Sequence, residues 1–214
     1  LVYRDVALSQ GVTLDSALVR ARFRQEFQND EESEAREPLA TDEHRERQRW
    51  RRIVRAVLAE LPDPKRAFEE LWDHFGRPGA WSAYHDVAPA IAALTEIGIT
   101  MCVGSNFDSR LRTVLRGIPC LSPLADSAVI SSEVGFRKPH AAFFEATLRQ
   151  LELPRTRVLV VGDDLENDVR GAERAGLHGL LVDRHDRRPS GIPFVTTLAG
   201  VPAVIAGESG IESP

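Results

Sequence analysis

From Val2 to about Trp81 apolar residues recur at three- and four-residue steps with few strand signals, so this part of the chain reads as helical. Val2, Val6 and Leu8 mark a short amphipathic segment that stops at Gly11, and Asp15 then caps a helix through Leu18, Phe23 and Phe27. Residues Asn29 to Pro38 are acidic and polar and read as a linker or exposed turn. The spacing of Trp50, Ile53, Val54, Val57, Leu58 and Leu61 predicts a helix from Asp42 to Leu61. Pro62 and Pro64 end it, and Pro64 can open the next, which carries Phe68, Leu71, Trp72 and Phe75. These stripes predict a small helix bundle.

After Trp81 the pattern changes. Asp86 caps a helix through Val87, Ile91 and Leu94, Gly98 closes it, and a strand follows from Ile99 to Val103. A helix is expected from Asp108 to Leu115, a short strand from Ala128 to Ile130, and a helix after Pro139 with Phe143, Phe144, Leu148 and Leu151. Val158 to Val161 is a wholly apolar run, expected of a parallel strand buried on both faces and central or near-central in its sheet. A helix from Asp168 to Ala175, a strand from Gly179 to Val182, and a last short strand and helix within Pro193 to Ala206 complete the alternation, and residues 207–214 read as a frayed tail. Alternating strands and helices imply an α/β fold, a Rossmann-like parallel sheet with helices on both faces.

Composition narrows the function classes. The chain has 214 residues, a net charge of −5 and two cysteines, Cys102 and Cys120, without metal-ligand or redox spacing. This fits a soluble cytoplasmic protein and makes neither nucleic acid nor an anionic membrane an obvious partner; no apolar stretch approaches a membrane span and no signal peptide opens the chain. Cys102, in ITMCV, reads as a buried small hydrophobe. The six arginines between His44 and Arg55 are interleaved with acids at amphipathic spacing and read as a solvated helix face, and Trp50, Phe68, Trp72 and Phe75 as core. Oligomeric state is not encoded legibly.

The chemistry concentrates in RVLVVGDDLENDV, Arg157 to Val169. Asp163, Asp164, Glu166 and Asp168 crowd the end of the apolar strand, where like charges raise one another's pKa and a hard cation such as Mg²⁺ is the natural partner. The competing reading is a solvated acidic turn with Asn167 or Asp168 capping the next helix. Ligands of such sheets gather beyond the carboxyl ends of the strands. Ser105-Asn106, after the strand ending at Val103, and Lys138, in GFRKPH, converge there with Asp163 and Asp168. Singly, a Ser-Asn after a strand is a turn or cap and a lysine before proline is a solvated side chain; their joint order is what is specific.

Together GSNFDSR, GFRKPH and GDDLENDVRGAERAG resemble the second, third and fourth motifs of the haloacid dehalogenase (HAD) superfamily, in its branch with a helical cap. The resemblance covers nearly the whole chain and is strongest to HAD-like hydrolase domain proteins whose second motif reads SNFD. It implies a cap over residues 1–84 and an α/β core over 85–206. It further implies that Ser105 hydrogen-bonds a transferring phosphoryl group with help from Asn106, that Lys138 neutralises charge, and that Asp163 and Asp168 hold Mg²⁺. The Gly-Asp-x4-Asp form of the fourth motif resembles the metal-dependent phosphatases rather than the metal-free dehalogenases, which implies a small phosphate monoester as substrate.

The departure from the family lies at the start. Its first motif, which bears the nucleophilic aspartate, should precede the cap, whereas Leu1-Val2-Tyr3 reads as already inside a helix; Asp5, with no strand before it, and Asp15, a cap, do not replace it. The chain therefore reads as truncated and, as given, inactive. The first core strand would lie between the strands at Ile99 to Val103 and Val158 to Val161; with about five buried apolar side chains at ~1.5–3 kcal/mol each, its loss forfeits roughly 8–15 kcal/mol. Two other readings stand beside the phosphatase: a non-catalytic HAD-fold binding or scaffold protein, and a chain whose missing strand comes from another protein.

Overall fold

The computed structural model describes residues 2–34, 39–185 and 190–207. The opening half is helical: α1 (Val2–Ser9), α2 (Ser16–Glu34), α3 (Glu43–Val57) and α4 (Pro64–Phe75). Local chemistry sets their ends. Gly11 turns the chain at φ 77° after α1, and the carboxylates of Asp15, Asp42 and Asp63 accept backbone N–H bonds at the starts of the next three helices. Ile53, Val54, Val57, Leu58, Phe68 and Leu71 are at most 3% exposed and form the common core of α1–α4. Each such side chain contributes about 1.5–3 kcal/mol by leaving water.

Two expectations fail here. The stretch read as a linker from Asn29 is helix as far as Glu34, propped by side-chain bonds four residues apart, Gln25 to Asn29 and Gln28 to Glu32; residues 35–38 of that stretch lie outside the described residues. The arginines of α3 are also not a uniformly solvated face. Arg49 is 3% exposed and pairs with Asp30 of α2, while Arg47 pairs with Glu69 of α4 and lies over the Trp72 ring.

The second half alternates: α5 (Val87–Glu96), β1 (Gly104–Ser105), α6 (Leu111–Arg116), β2 (Val129–Ile130), α7 (Ser131–Val134), α8 (Ala141–Leu151), β3 (Leu159–Gly162), α9 (Gly171–Arg174), β4 (His178–Val182), β5 (Phe194–Val195) and α10 (Val201–Ile205). All strand pairs are parallel: β1 with β2, and β3 with β4 and β4 with β5. Period-two alternation sorts their side chains. Val158 and Val160 pack with Phe143, Phe144 and Ala172 of α8 and α9, whereas Leu159 and Val161 pack with Leu94 of α5 and Val201 of α10. Helices thus cover both faces.

Among the described residues the sheet comes in two pieces, β1-β2 and β3-β4-β5, with no ladder between β1 and β3. A cleft of about 900 Å³ separates them, walled by residues 99–104 on one side and Val158 to Val161 on the other. This corrects two expectations. Ile99 to Val103 is not itself a strand, pairing beginning only at Gly104, and β3 is an edge of its sheet rather than a central strand. Among the described residues neither segment has a ladder partner on the side facing the cleft, and β2 pairs with the first only at Gly104 and Ser105. The helix expected to begin at Asp168 is a π-helical turn, Leu165–Arg170, followed by α9. Asp86 does not cap α5; its carboxylate takes Arg184 and the Leu198 N–H instead, both at 2.8 Å. No helix of the described residues is long and apolar enough to cross a membrane.

Candidate active site at the carboxyl ends of the strands

Ser105 ends β1 and Asn106 follows it into a loop. Asn106 Oδ1 accepts the Lys138 N–H at 2.7 Å and Nδ2 donates to the Lys138 carbonyl at 3.0 Å, so the second and third sequence motifs meet through this side chain. The Lys138 Nζ then reaches the Gly104 carbonyl at 3.1 Å and Asp168 Oδ1 at 2.6 Å, and lies 5.6 Å from the Phe143 ring centroid. Both partners of this ion pair are nearly buried, with side-chain exposures of 12% and 10%. The other Asp168 oxygen accepts the Asp164 N–H at 3.2 Å. Gly162 makes this packing possible, because a Cβ there would collide with the Asp168 carboxylate.

The structure therefore gathers Ser105, Asn106, Lys138 and Asp168, and places Asp163 differently. Asp163 is exposed, and no hydrogen bond or ion pair reaches its carboxylate among the described residues; the Ser105 hydroxyl is likewise unengaged. Asp164 caps the π-helical turn by accepting from the N–H groups of Glu166 and Asn167 at 3.0 and 2.9 Å. Glu31, at the end of α2, has its carboxyl pushed up by burial and then by the charge of Asp164.

Several supports escaped the sequence reading. The wholly buried Ser131 hydroxyl bridges the N–H and carbonyl of Phe107, each at 3.1 Å, and holds the loop beyond Asn106. Glu43, in the first turn of α3, accepts from the Ser109 N–H at 2.9 Å and the Ser132 hydroxyl at 2.6 Å. Thr41 and Arg137 bond to Gly135 and Leu39 across a short antiparallel bridge beside Lys138. The adjacent Arg137 is 3.7 Å from the buried Glu46 carboxylate of α3. The one sequence signal for this tie is Arg137 standing next to Lys138 in GFRKPH.

Among the described residues no group of three or more ligating His, Cys, Asp or Glu side chains comes together. Mg²⁺ does not require one, since it commonly binds one or two carboxylates and fills its octahedron with water and phosphate oxygens. The free Asp163 carboxylate and the Asp168 oxygen turned away from Lys138 fit that modest demand. Chemically the arrangement offers a fixed cation, a free hydroxyl and an uncompensated carboxylate around the mouth of an apolar cleft, which suits recognition of an oxyanion with its counter-cation.

Comparison with known proteins identifies the family. The family model for haloacid dehalogenase-like hydrolases matches residues 10–176. Haloacid dehalogenase-like hydrolase domain-containing protein 3 of Xenopus laevis is 32% identical over 121 residues, covering 56% of this chain and 48% of that protein. The pyrimidine 5′-nucleotidase YjjG of Escherichia coli is 36% identical over 126 residues, covering 58% of this chain and 52% of its own. The chain thus spans about half the length of these curated relatives. In fold it resembles the HAD-hydrolase YfnB of Bacillus subtilis, crystallised with magnesium, at a TM-score of 0.71 and 17% identity over 96% of this chain and 90% of that one. With the family model spanning both the helical part and the motifs around Lys138 and Asp168, the chain belongs to the haloacid dehalogenase-like hydrolases.

Proposed function

We propose that this chain supplies the cap and most of the core of a Mg²⁺-dependent phosphatase acting on a small phosphate monoester. The observation behind the reading is the Lys138–Asp168 pair, held at the carboxyl ends of β1 and β3 beside the free Ser105 hydroxyl and free Asp163 carboxylate. In this reading Ser105 donates to an oxygen of the transferring phosphoryl group. Lys138 offsets its charge while Asn106 fixes the lysine's main chain. Asp163 and Asp168 would hold Mg²⁺, which when bound offsets phosphate charge. Such positioning and charge stabilisation make up most of what phosphoryl transfer asks of a protein.

The nucleophile is proposed to be an aspartate on a strand seated in the 900 Å³ cleft and lying outside these 214 residues. Its carboxylate attacks phosphorus as the ester P–O bond breaks, and the departing alkoxide takes a proton from a water molecule; the hydroxide so formed then displaces the aspartate carboxylate from phosphorus and leaves as part of the released phosphate. Among the described residues β3 and the segment from Ile99 to Ser105 face the cleft with no ladder between them, and apolar side chains wall it, which supports that placement. The relative named a pyrimidine 5′-nucleotidase supports the phosphatase reading.

A non-catalytic binding role is the second reading, favoured by the Lys138 ammonium already neutralising Asp168 and leaving Asp163 the free carboxylate of the pair. Hydrolysis of an aryl phosphate by an N-terminally extended chain, with and without Mg²⁺, separates the two. The phosphatase predicts metal-dependent turnover in the extended chain and none in the 214 residues. Turnover indifferent to metal, or confined to the shorter chain, would overturn it.

A further inference from the structure

Beside the loop that follows Ser105 lies a second cavity, of about 420 Å³, whose walls include seven aromatic side chains. A continuous series of rings runs along it from the helical bundle to the loop: Phe23 to Tyr3, Tyr3 to Phe75, Phe75 to Trp81 and Trp81 to Phe107, at successive centroid separations of 5.8, 6.4, 5.8 and 5.8 Å. Tyr3, Phe23 and Phe75 pack against the helical core from its edge and are not enclosed by it. Phe68 and Leu71 nearby are 1% exposed, whereas Trp81 is 42% exposed and Phe23 and Phe75 are only partly buried. Trp50, Trp72 and Phe75 pack against the helical core around Phe68, as the sequence predicts, and their partly buried rings also line the cavity.

We propose that this cavity receives a flat, unsaturated ring in the leaving group of the substrate, so that the phosphate monoester is an aryl or nucleobase-bearing one. The inference rests on the phosphatase reading and names its substrate class. Three observations support it. Phe107 is two residues from Ser105, and two residues of chain span at most about 7 Å, which puts this end of the cavity within a small molecule's length of Ser105. The walls offer ring faces and edges, which bind planar π-systems by offset or edge-to-face contact. The cavity is also not purely apolar. Among the described residues Arg20 and Arg24, both exposed, have no ion-pair partner, and the Tyr3 hydroxyl, which burial keeps protonated, makes no hydrogen bond. These groups can meet the heteroatoms of a ring, where a sugar phosphate or glycerol phosphate would place hydroxyls against ring faces.

The test is a calorimetric titration of the 214-residue chain, in Mg²⁺, with phenyl phosphate, uridine monophosphate and glycerol 2-phosphate. The two ring-bearing ligands should bind at least about tenfold more tightly than glycerol 2-phosphate, a stacking contribution typical of one base on one aromatic side chain. In Trp81→Ala that preference should fall to about twofold; if this variant does not fold, as judged by circular dichroism, Phe107→Leu serves with the same expectation. Equal affinities for all three ligands, or a preference untouched by the variant, overturn the ring pocket and leave the phosphate site standing. A ring preference that survives while Lys138→Met changes no affinity does the opposite, keeping the pocket and overturning the phosphate site. If none binds, both fall.

Discussion

Asn106 grips Lys138 by its main chain, accepting its N–H at 2.7 Å and donating to its carbonyl at 3.0 Å. The lysine ammonium is thereby delivered to Asp168 from a fixed backbone rather than from a free loop. Asn106→Ala removes both bonds, each worth about 0.5–1.5 kcal/mol net, so urea unfolding should show a loss of about 1–3 kcal/mol. Asn106→Asp keeps the acceptor but lacks the donor and sets a carboxylate against the Lys138 carbonyl; it should recover less than half of that loss. Equal stability of the alanine variant and the parent would show that the grip is incidental.

The Lys138–Asp168 pair leads to a prediction about metal. With the ammonium gone, Asp163, Asp164 and Asp168 repel one another without a counter-charge, so Lys138→Met should lower the melting temperature. The same change frees Asp168 Oδ1 for a cation. Mg²⁺ should therefore raise the melting temperature of Lys138→Met more than that of the parent, following the usual mass-action dependence on ligand concentration. The rise should disappear in the double variant with Asp168→Asn. A Lys138→Met protein that melts at the same temperature in Mg²⁺ and in chelator would count against these carboxylates as ligands.

Gly162 is required by close approach. A methyl group there would collide with the Asp168 carboxylate, the acidic half of the ion pair. Gly162→Ala should push Asp168 off Lys138 and cost about 1–3 kcal/mol, as overpacking commonly does. It should also abolish the Mg²⁺-dependent part of the melting temperature. A stable variant with an intact metal response would mean that the π-helical turn can retreat.

How far the sequence made this visible follows the range of the interactions. The stripes of α3 and α4 and the Asp15 cap of α2 are local and were legible, as were the apolar run at β3 and the motif positions of Ser105, Lys138 and Asp168. The polar end of α2 was not, because it has no apolar stripe and is helical through side-chain pairs and the Asp30–Arg49 contact. The supports of the site were hidden for a related reason. Glu43 binds Ser109 and Ser132 across 66 and 89 residues, and no local spacing announces such a partner. The segment from Ile99 shows the converse: an apolar pattern specifies which faces are buried, but a strand also needs a neighbour to bond.

Cys102 lines the cleft between the two sheet pieces and packs against the α8–α9 face of the core. Burial pushes its thiol up to about 11, which leaves little thiolate at neutral pH. Iodoacetamide at pH 8 should therefore modify Cys102 at least about tenfold more slowly than the same residue in the urea-unfolded chain, as followed by mass spectrometry of the Cys102 peptide. Filling the cleft in an extended chain should slow it further. Rapid native modification would mean that the cleft opens often enough to expose this wall.

Asp86 links the start of α5 to the end of the chain, and its titration gives a stability test with a definite sign. The Arg184 guanidinium, bonded at 2.8 Å, holds its carboxyl below the usual carboxylate range, helped by the Leu198 N–H. The folded state thus binds the Asp86 proton less readily than the unfolded chain. Its contribution is fully present above the unfolded value of about 3.9 and is lost as pH falls through the depressed folded value. Asp86 is 4% exposed but Arg184 retains 20%, so the cost of Asp86→Asn is set at about 2 kcal/mol, below that of a fully buried pair. The stability difference between parent and Asp86→Asn should be constant from pH 7 to about pH 5 and shrink below about pH 4. A difference that grows on acidification would require Asp86 to be held protonated in the folded state, contrary to its contact with Arg184.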